Sequence, residues 1–195
     1  MENLLRKMPV VLANGTLALP DAYSVMVDDC RGVEMAVEHL VKTGRRNLYY
    51  IKDKSTDSAA AKAKGFLSGM AAAGLDAEGH ILETGETLED GIRAVQQLLA
   101  EGIRPDGILC GEDLTAAGVL KALLRAGIRV PEETAVVGYD NSTYARLCEP
   151  ELTSVDNKPE QVALLCVQLL QSRIEHGEDY SSVTLQPELV QRQSS

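Results

Sequence analysis

Acidic residues stand directly after several apolar, β-branched runs. Val25-Met26-Val27 leads into Asp28-Asp29, Tyr50-Ile51 into Lys52-Asp53, Leu109-Cys110-Gly111 into Glu112-Asp113, and Val137-Gly138-Tyr139 into Asp140-Asn141. If these runs are strands of open parallel sheets, the acids converge at the carboxyl ends of the strands, where such sheets bind ligands near a topological switch point. Ionised carboxylates only accept hydrogen bonds, so the rim suits a guest rich in hydroxyls or amines and repels phosphates. Asp28, Glu112, Asp113 and Asp140 are therefore candidate binding residues for a sugar-like or amine-bearing small molecule. Acids after strands also cap helices. Asp29 ahead of a helix from Arg31, Asp57 or Ser58 ahead of one from Ala59, and Asp113 ahead of one from Leu114 suit that role as well. Capping and binding both stay open at this point.

Other chemistry finds no anchor. There is no G-x-G-x-x-G after a strand, no G-x-x-x-x-G-K-[ST], no G-x-S-x-G and no H-E-x-x-H, which removes the usual signals for dinucleotide, nucleotide, acyl-transfer and zinc-protease sites. Paired carboxylates flanking a crevice could hydrolyse glycosides, but nothing in the pattern raises the pKa of one acid selectively. No enzyme activity, cofactor or metal is expected. The 4 cysteines (Cys30, Cys110, Cys148, Cys166) are scattered, with no C-x-x-C pair, and read as reduced, mostly buried small apolar residues. His39, His80 and His176 are far apart and suit surface or helix-end positions. With 19 Lys plus Arg against 29 Asp plus Glu, the formal charge is −10, the reverse of the basic face that neutralises phosphates in nucleic-acid binders. No apolar stretch approaches the roughly 20 residues of a membrane span, and no leader pattern opens the chain, so a soluble cytoplasmic protein is expected.

The elements that must position the acids follow a βα alternation, the signature of parallel sheets. Strands are predicted at Pro9–Ala13, Ser24–Val27, Asn47–Ile51, Gly107–Cys110 and Ala135–Tyr139, with helices at about Arg31–Thr43, Ser58–Ala73, Leu88–Ala100, Glu112–Ala126 and Pro159–His176. Gly44, Gly74, Gly102, Gly127 and Gly177 follow the last periodic residues, as left-handed C-caps require. A last extended stretch, Ser182–Val190, reads as a strand with a proline at its edge. The polar passage from Tyr139 to Pro150, then Leu152–Val155, then a long helix and a separate last strand, suits two lobes. Crossings are expected near Gly44–Asn47, Thr153–Asp156 and Gly177–Ser181.

The order of the motifs resembles the effector-binding half of Lac repressor-family transcriptional regulators. It runs Met8-Pro9-Val10-Val11-Leu12-Ala13, Val25-Met26-Val27-Asp28-Asp29 with Gly32, Ala36-Val37-Glu38-His39-Leu40, and Gly44-Arg45-Arg46 before a strand. Gly65-Phe66, Gly91 to Leu99, Pro105 to Asp113, Gly127 to Glu132, Val136 to Asn141 and Pro150 to Val155 continue it. The resemblance covers nearly the whole chain. It implies an α/β, type I periplasmic-binding-protein-like fold with Rossmann-like parallel sheets in two lobes that clamp a small effector. It places a partial N-terminal lobe at 1–44 and 155–177, and a C-terminal effector-binding lobe at 45–153 and 182–192. Family members begin with a helix-turn-helix headpiece, a hinge helix and several βα units ahead of the strand matching Pro9–Ala13. The chain is therefore expected to be a piece of a longer regulator with an incomplete first lobe, touching DNA only through a headpiece it does not carry.

The resemblance also implies site residues. Asp28, Asp113 and Asp140 match acids placed at the family's crevice. Lys62 stands, between Ser58 and Gly65-Phe66, where an arginine usually grips the ligand, keeping the charge and losing the bidentate fork. Glu112 replaces a common asparagine or glycine, and Glu86 falls where many relatives offer an aromatic platform. With no Trp and 1 Phe, sugar stacking would fall to Tyr23 or Tyr144. The expected effector set is Asp28, Ser58, Lys62, Glu86, Glu112, Asp113 and Asp140, for a sugar, polyol or amine. A homodimer is implied through Ala117, Lys121, Leu147 and Cys148. A free-standing or transport-type solute-binding protein is the alternative.

Overall fold

The computed structural model describes residues 8–15, 23–52, 56–176 and 182–195. In chain order these form β1 (Val11–Ala13), β2 (Tyr23–Val27), α1 (Asp29–Lys42), β3 (Leu48–Lys52), α2 (Asp57–Ala72), β4 (Ile81–Glu83), α3 (Leu88–Ala100), β5 (Gly107–Cys110) and α4 (Asp113–Arg125). There follow β6 (Ala135–Tyr139), α5 (Thr143–Leu147), β7 (Thr153–Asp156), α6 (Pro159–His176), β8 (Val183–Leu185) and β9 (Glu188–Val190). Among the described residues no helix is long and apolar enough to cross a membrane.

The chain divides into two compact units. The smaller comprises Met1–Asp28 and Lys158–Pro187. Its parallel sheet runs β1-β2-β8, with Val11 opposite Tyr23 and Val25 opposite Val183. Val25, Val27 and Val162 bury its core, joined by Leu165, Cys166 and Leu169 from α6.

The larger unit comprises Asp29–Asn157 and Glu188–Ser195. Its sheet has the order β4-β3-β5-β6-β7-β9, parallel throughout except for the antiparallel β9. Side chains alternate across the pleat. Leu48, Tyr50, Leu109, Val137 and Tyr139 face one core with Val33, Val37, Leu40, Phe66 and Met70 of α1 and α2. Ile51, Ile108, Cys110 and Val136 face the other, with Ala94, Val95, Val119 and Leu123 of α3 and α4. Both faces are covered, so the central strands β5 and β6 are nearly apolar throughout. From β3 the chain steps outward to β4, then returns through α3 to β5 on the other side of β3. That reversal is the switch point at which the sheet's rim opens.

Local chemistry fixes the helix starts. Thr87 and Asp90 form a reciprocal capping box on α3, which satisfies two orphan donors at once. The cap of α2 is Thr56, whose Oγ1 accepts from Ala59 N at 3.0 Å, rather than Asp57 or Ser58. Ahead of α4, Glu112 makes no side-chain capping bond. The glycines Gly44, Gly74, Gly102 and Gly127 all have the positive φ expected of C-caps; Gly177 lies outside the described residues. A Cβ on Gly65 would sit 2.2 Å from the Cys30 carbonyl oxygen, so α1 and α2 can cross this closely only with glycine there. Gly65→Ala should force them apart and lower stability by about 3 kcal/mol in urea denaturation.

Two expectations require correction. Helix α1, assigned from sequence to the first lobe as part of 1–44, groups with the larger unit, because its apolar stripe Val33, Ala36, Val37 and Leu40 shares a core with Tyr50 and Phe66. The stretch Ser182–Val190 is two strands in two sheets: β8 pairs with β2, and β9 pairs with β7 after the Gln186-Pro187 break. Of the expected crossings, Gly177–Ser181 falls outside the described residues, as does Asp53.

Candidate functional site

At the carboxyl rim of the larger sheet, residues from separate elements are tied into one polar group. Asp29, the first residue of α1, accepts from Ser58 Oγ at 2.5 Å through Oδ2 and from Tyr139 OH at 2.6 Å through Oδ1. Tyr139 ends β6. Its phenol is pushed far above the ordinary tyrosine value, first by burial and then by the adjacent Asp29 charge, so it acts as a donor. Above its ring, 4.1 Å from the centroid, lies the ammonium of Lys62. That ammonium also donates to the Gly111 carbonyl at 2.8 Å, in the turn after β5, and Lys62 is only 5% exposed.

Asp140 follows Tyr139 in left-handed backbone, with φ 100°, and Asn141 continues it with φ 49°. Asp and Asn are the residues that tolerate this region best. Asp140 Oδ1 accepts from Asn157 Nδ2 at 2.8 Å, while among the described residues no donor reaches Oδ2. Burial pushes the carboxyl up to about 7, opposed by the nearby Lys62 charge and reinforced by Asp113, Glu112 and Asp29. A half-satisfied carboxylate in a desolvated setting is prepared to accept donors from something else. Asn157 Oδ1 is buried and takes no bond among the described residues.

Asp113 has a different task. It is 1% exposed and accepts from Ser142 N (2.7 Å), Ser142 Oγ (2.8 Å) and Ser154 Oγ (2.6 Å). Burial raises its pKa, against the pull of those bonds and of Arg192. It pins the turn after β6 to β7, which in turn fixes Asp140. Asn141 reinforces that turn, accepting from Arg192, donating through its backbone N–H to Ser154 Oγ at 2.9 Å and through Nδ2 to Asp156 Oδ2 at 3.2 Å.

Of the residues named from sequence, the larger unit therefore gathers Ser58, Lys62, Glu112, Asp113 and Asp140 at one rim. Glu112 is partly buried and its charge acts on Asp140. Glu86 is partly buried in the turn before the Thr87 cap and shares no bond with this group among the described residues. Asp28 belongs to the smaller unit, where its N–H donates to Leu185 O at 3.0 Å. Tyr23 is buried in that unit too, with the Arg173 guanidinium 5.4 Å from its ring, and Tyr144 is exposed on α5. Asp29, Tyr139 and Asn157 were missed as site residues. Asp29 stands beside the acid chosen from the pair Asp28-Asp29 and Tyr139 ends β6 beside the chosen Asp140, whereas Asn157 follows β7 with no motif to mark it. Along α4 and α5, Ala117 and Cys148 pack partly buried on the core, Lys121 is exposed and Leu147 is 75% exposed.

Comparison with known proteins agrees with this architecture. A family model described as a periplasmic binding protein-like domain matches residues 37–195. The HTH-type transcriptional repressor PurR of Escherichia fergusonii is 31% identical over 193 residues, covering 97% of this chain and 57% of that protein. The chain thus spans little more than half the length of this curated relative. A LacI transcriptional regulator from a Rhodococcus species has a TM-score of 0.91 at 29% identity, over 100% of this chain and 72% of that one. The transcriptional regulator CelR in complex with cellobiose has a TM-score of 0.87 at 29% identity, over 95% of this chain and 58% of that one.

Proposed function

The chain belongs to the periplasmic binding protein-like domain family, and from that premise we propose that it is the effector-binding part of a LacI-family transcriptional regulator. The observation that carries this reading is Asp140: one carboxylate oxygen is held by Asn157, and the other lacks a donor among the described residues, at the rim beside the sheet's switch point. Its chemistry suits the hydroxyls of a sugar or polyol, or an amine, and CelR, one of the similar structures, holds cellobiose. Calorimetric titration of the chain with cellobiose, simple sugars, polyols and amines should show saturable binding to one of them. Asp140→Ala should abolish it, since losing a charge-assisted bond costs about 10- to 100-fold or more in affinity. Unchanged affinity in that variant would remove Asp140 from the site.

An effector shifts a conformational equilibrium only by its differential affinity for the two states. In a regulator that difference is coupled to operator affinity. Operator contact is assigned to a helix-turn-helix headpiece and not to these residues, whose formal charge is −10, and the working location is the cytoplasm. Pairing of two copies is assigned to α4 and α5, through Ala117, Lys121, Cys148 and the exposed Leu147. Sedimentation equilibrium should show a dimer that Leu147→Glu weakens, whereas a monomer at all concentrations would exclude this surface.

A further inference from the structure

We propose that the effector is a cation, a small primary ammonium compound such as a polyamine or an amino-polyol, in preference to a neutral sugar. The inference rests on the effector-binding reading and narrows its ligand class. It follows from where the donors of the rim are spent. Ser58 Oγ donates to Asp29 at 2.5 Å, and Tyr139 OH donates to the same carboxylate at 2.6 Å. The Lys62 ammonium donates to the Gly111 carbonyl at 2.8 Å, on a side chain 5% exposed. Ser142 Oγ and Ser154 Oγ donate to Asp113 at 2.8 and 2.6 Å, and Asn141 Nδ2 donates to Asp156 at 3.2 Å. Each of these donor groups is engaged by an acceptor of the protein itself.

The unmet groups are acceptors. Asp140 Oδ1 takes Asn157 Nδ2 at 2.8 Å, which leaves Oδ2 without a donor and the buried Asn157 Oδ1 without a bond among the described residues. Turning that amide over would set its oxygen against the carboxylate, so the pair itself fixes which end is unmet. One bonded pair thus carries two acceptors in want of donors, and buried polar groups are ordinarily partnered. A sugar hydroxyl both donates and accepts, and is fully matched only where a site supplies both. An ammonium carries three donors and no acceptor. The charge balance runs the same way. Asp29, Glu112, Asp113 and Asp140 bring four carboxylates to the rim, while Lys62 is held by Gly111 and the Arg192 guanidinium by the Leu152 carbonyl and the Asn141 amide oxygen. A bound ammonium would supply the missing donors and the missing counter-charge together.

The test is calorimetric titration of the full chain at pH 8, where the Asp140 carboxyl is ionised and alkylammonium groups stay protonated. The probes are matched pairs that exchange ammonium for hydroxyl: putrescine against butanediol, and glucamine against sorbitol, with cellobiose as the neutral sugar. The ammonium member of at least one pair should bind about tenfold or more tightly than its hydroxyl counterpart, the scale that separates a charge-assisted bond from a neutral one. Asp140→Asn keeps an oxygen for Asn157 Nδ2 and removes the charge, so it should bring that ratio close to one; its cooperative urea transition verifies that the variant is folded. A ratio unchanged in Asp140→Asn overturns the proposal. Equal or tighter binding of a hydroxyl member, or preference for cellobiose, also overturns it and leaves the effector-binding reading standing. Absence of saturable binding by every probe, charged and neutral, counts against both.

Discussion

Asp113→Ala should lower the stability of the chain by about 3 kcal/mol, read as a fall in the urea midpoint at unchanged m-value. The substitution leaves Ser142 N–H, Ser142 Oγ and Ser154 Oγ without their common acceptor, and Ser154 is fully buried. Removing a buried carboxylate relieves its desolvation, which is why the loss is smaller than the sum of three charge-assisted bonds. Asp113→Asn, which keeps an acceptor, should cost less. Gly138 reports the same contact from the other side, since a Cβ there would meet Asp113 Oδ1 at 2.2 Å. Gly138→Ala should therefore be destabilising alone and nearly silent in the Asp113→Ala background, the sub-additivity of two changes to one contact. Fully additive losses would mean that the carboxylate and the glycine do not share this space.

This result bears on how far the chemistry can be read from residue order. Acids after strands were visible, and so was the α/β alternation, because burial on both sheet faces writes apolar runs and helix ends write glycines. What residue order does not carry is which acids remain available. Asp113 and Asp140 look alike, each following an apolar run, yet one is consumed by Ser142 and Ser154 and the other keeps an oxygen without a donor among the described residues. The difference arises from residues distant in the chain, and only tertiary packing brings them together. In the pair Asp28-Asp29 the expected member closes a strand of the smaller unit, whereas its neighbour starts α1 and binds Ser58 and Tyr139.

The same limit accounts for the strands. β4 is a 3-residue edge strand at Ile81–Glu83, too short for periodicity to register. β8 and β9 read as one extended stretch because pairing partners, β2 for one and β7 for the other, are invisible in local sequence. Lys62 shows it for a site residue. The family resemblance assigned it a ligand grip from its place between Ser58 and Gly65, and the bond of its ammonium to the Gly111 carbonyl, in a distant turn, was not legible there.

Asp140→Asn should stabilise the unliganded chain by about 3 kcal/mol at pH 8 while removing effector affinity. Burial holds the Asp140 carboxyl at about 7 in the folded chain, above its ordinary value of 3.8. Between those values the folded state keeps a proton that the unfolded state has released, so folding weakens as pH rises from about 4 to about 7 and stays weakened above. Three pKa units set the scale, trimmed because Asp140 is partly exposed. Asparagine does not titrate, still offers an oxygen to Asn157 Nδ2 and tolerates the left-handed backbone. The gain over wild type should therefore be full at pH 8, about half near pH 5.5 and negligible by pH 4, measured as paired urea midpoints across that range. A gain independent of pH would assign the effect to packing. The predicted profile would instead show that this carboxylate costs the unliganded fold stability, a cost a binding residue recovers only when a ligand supplies the donors its own surroundings lack.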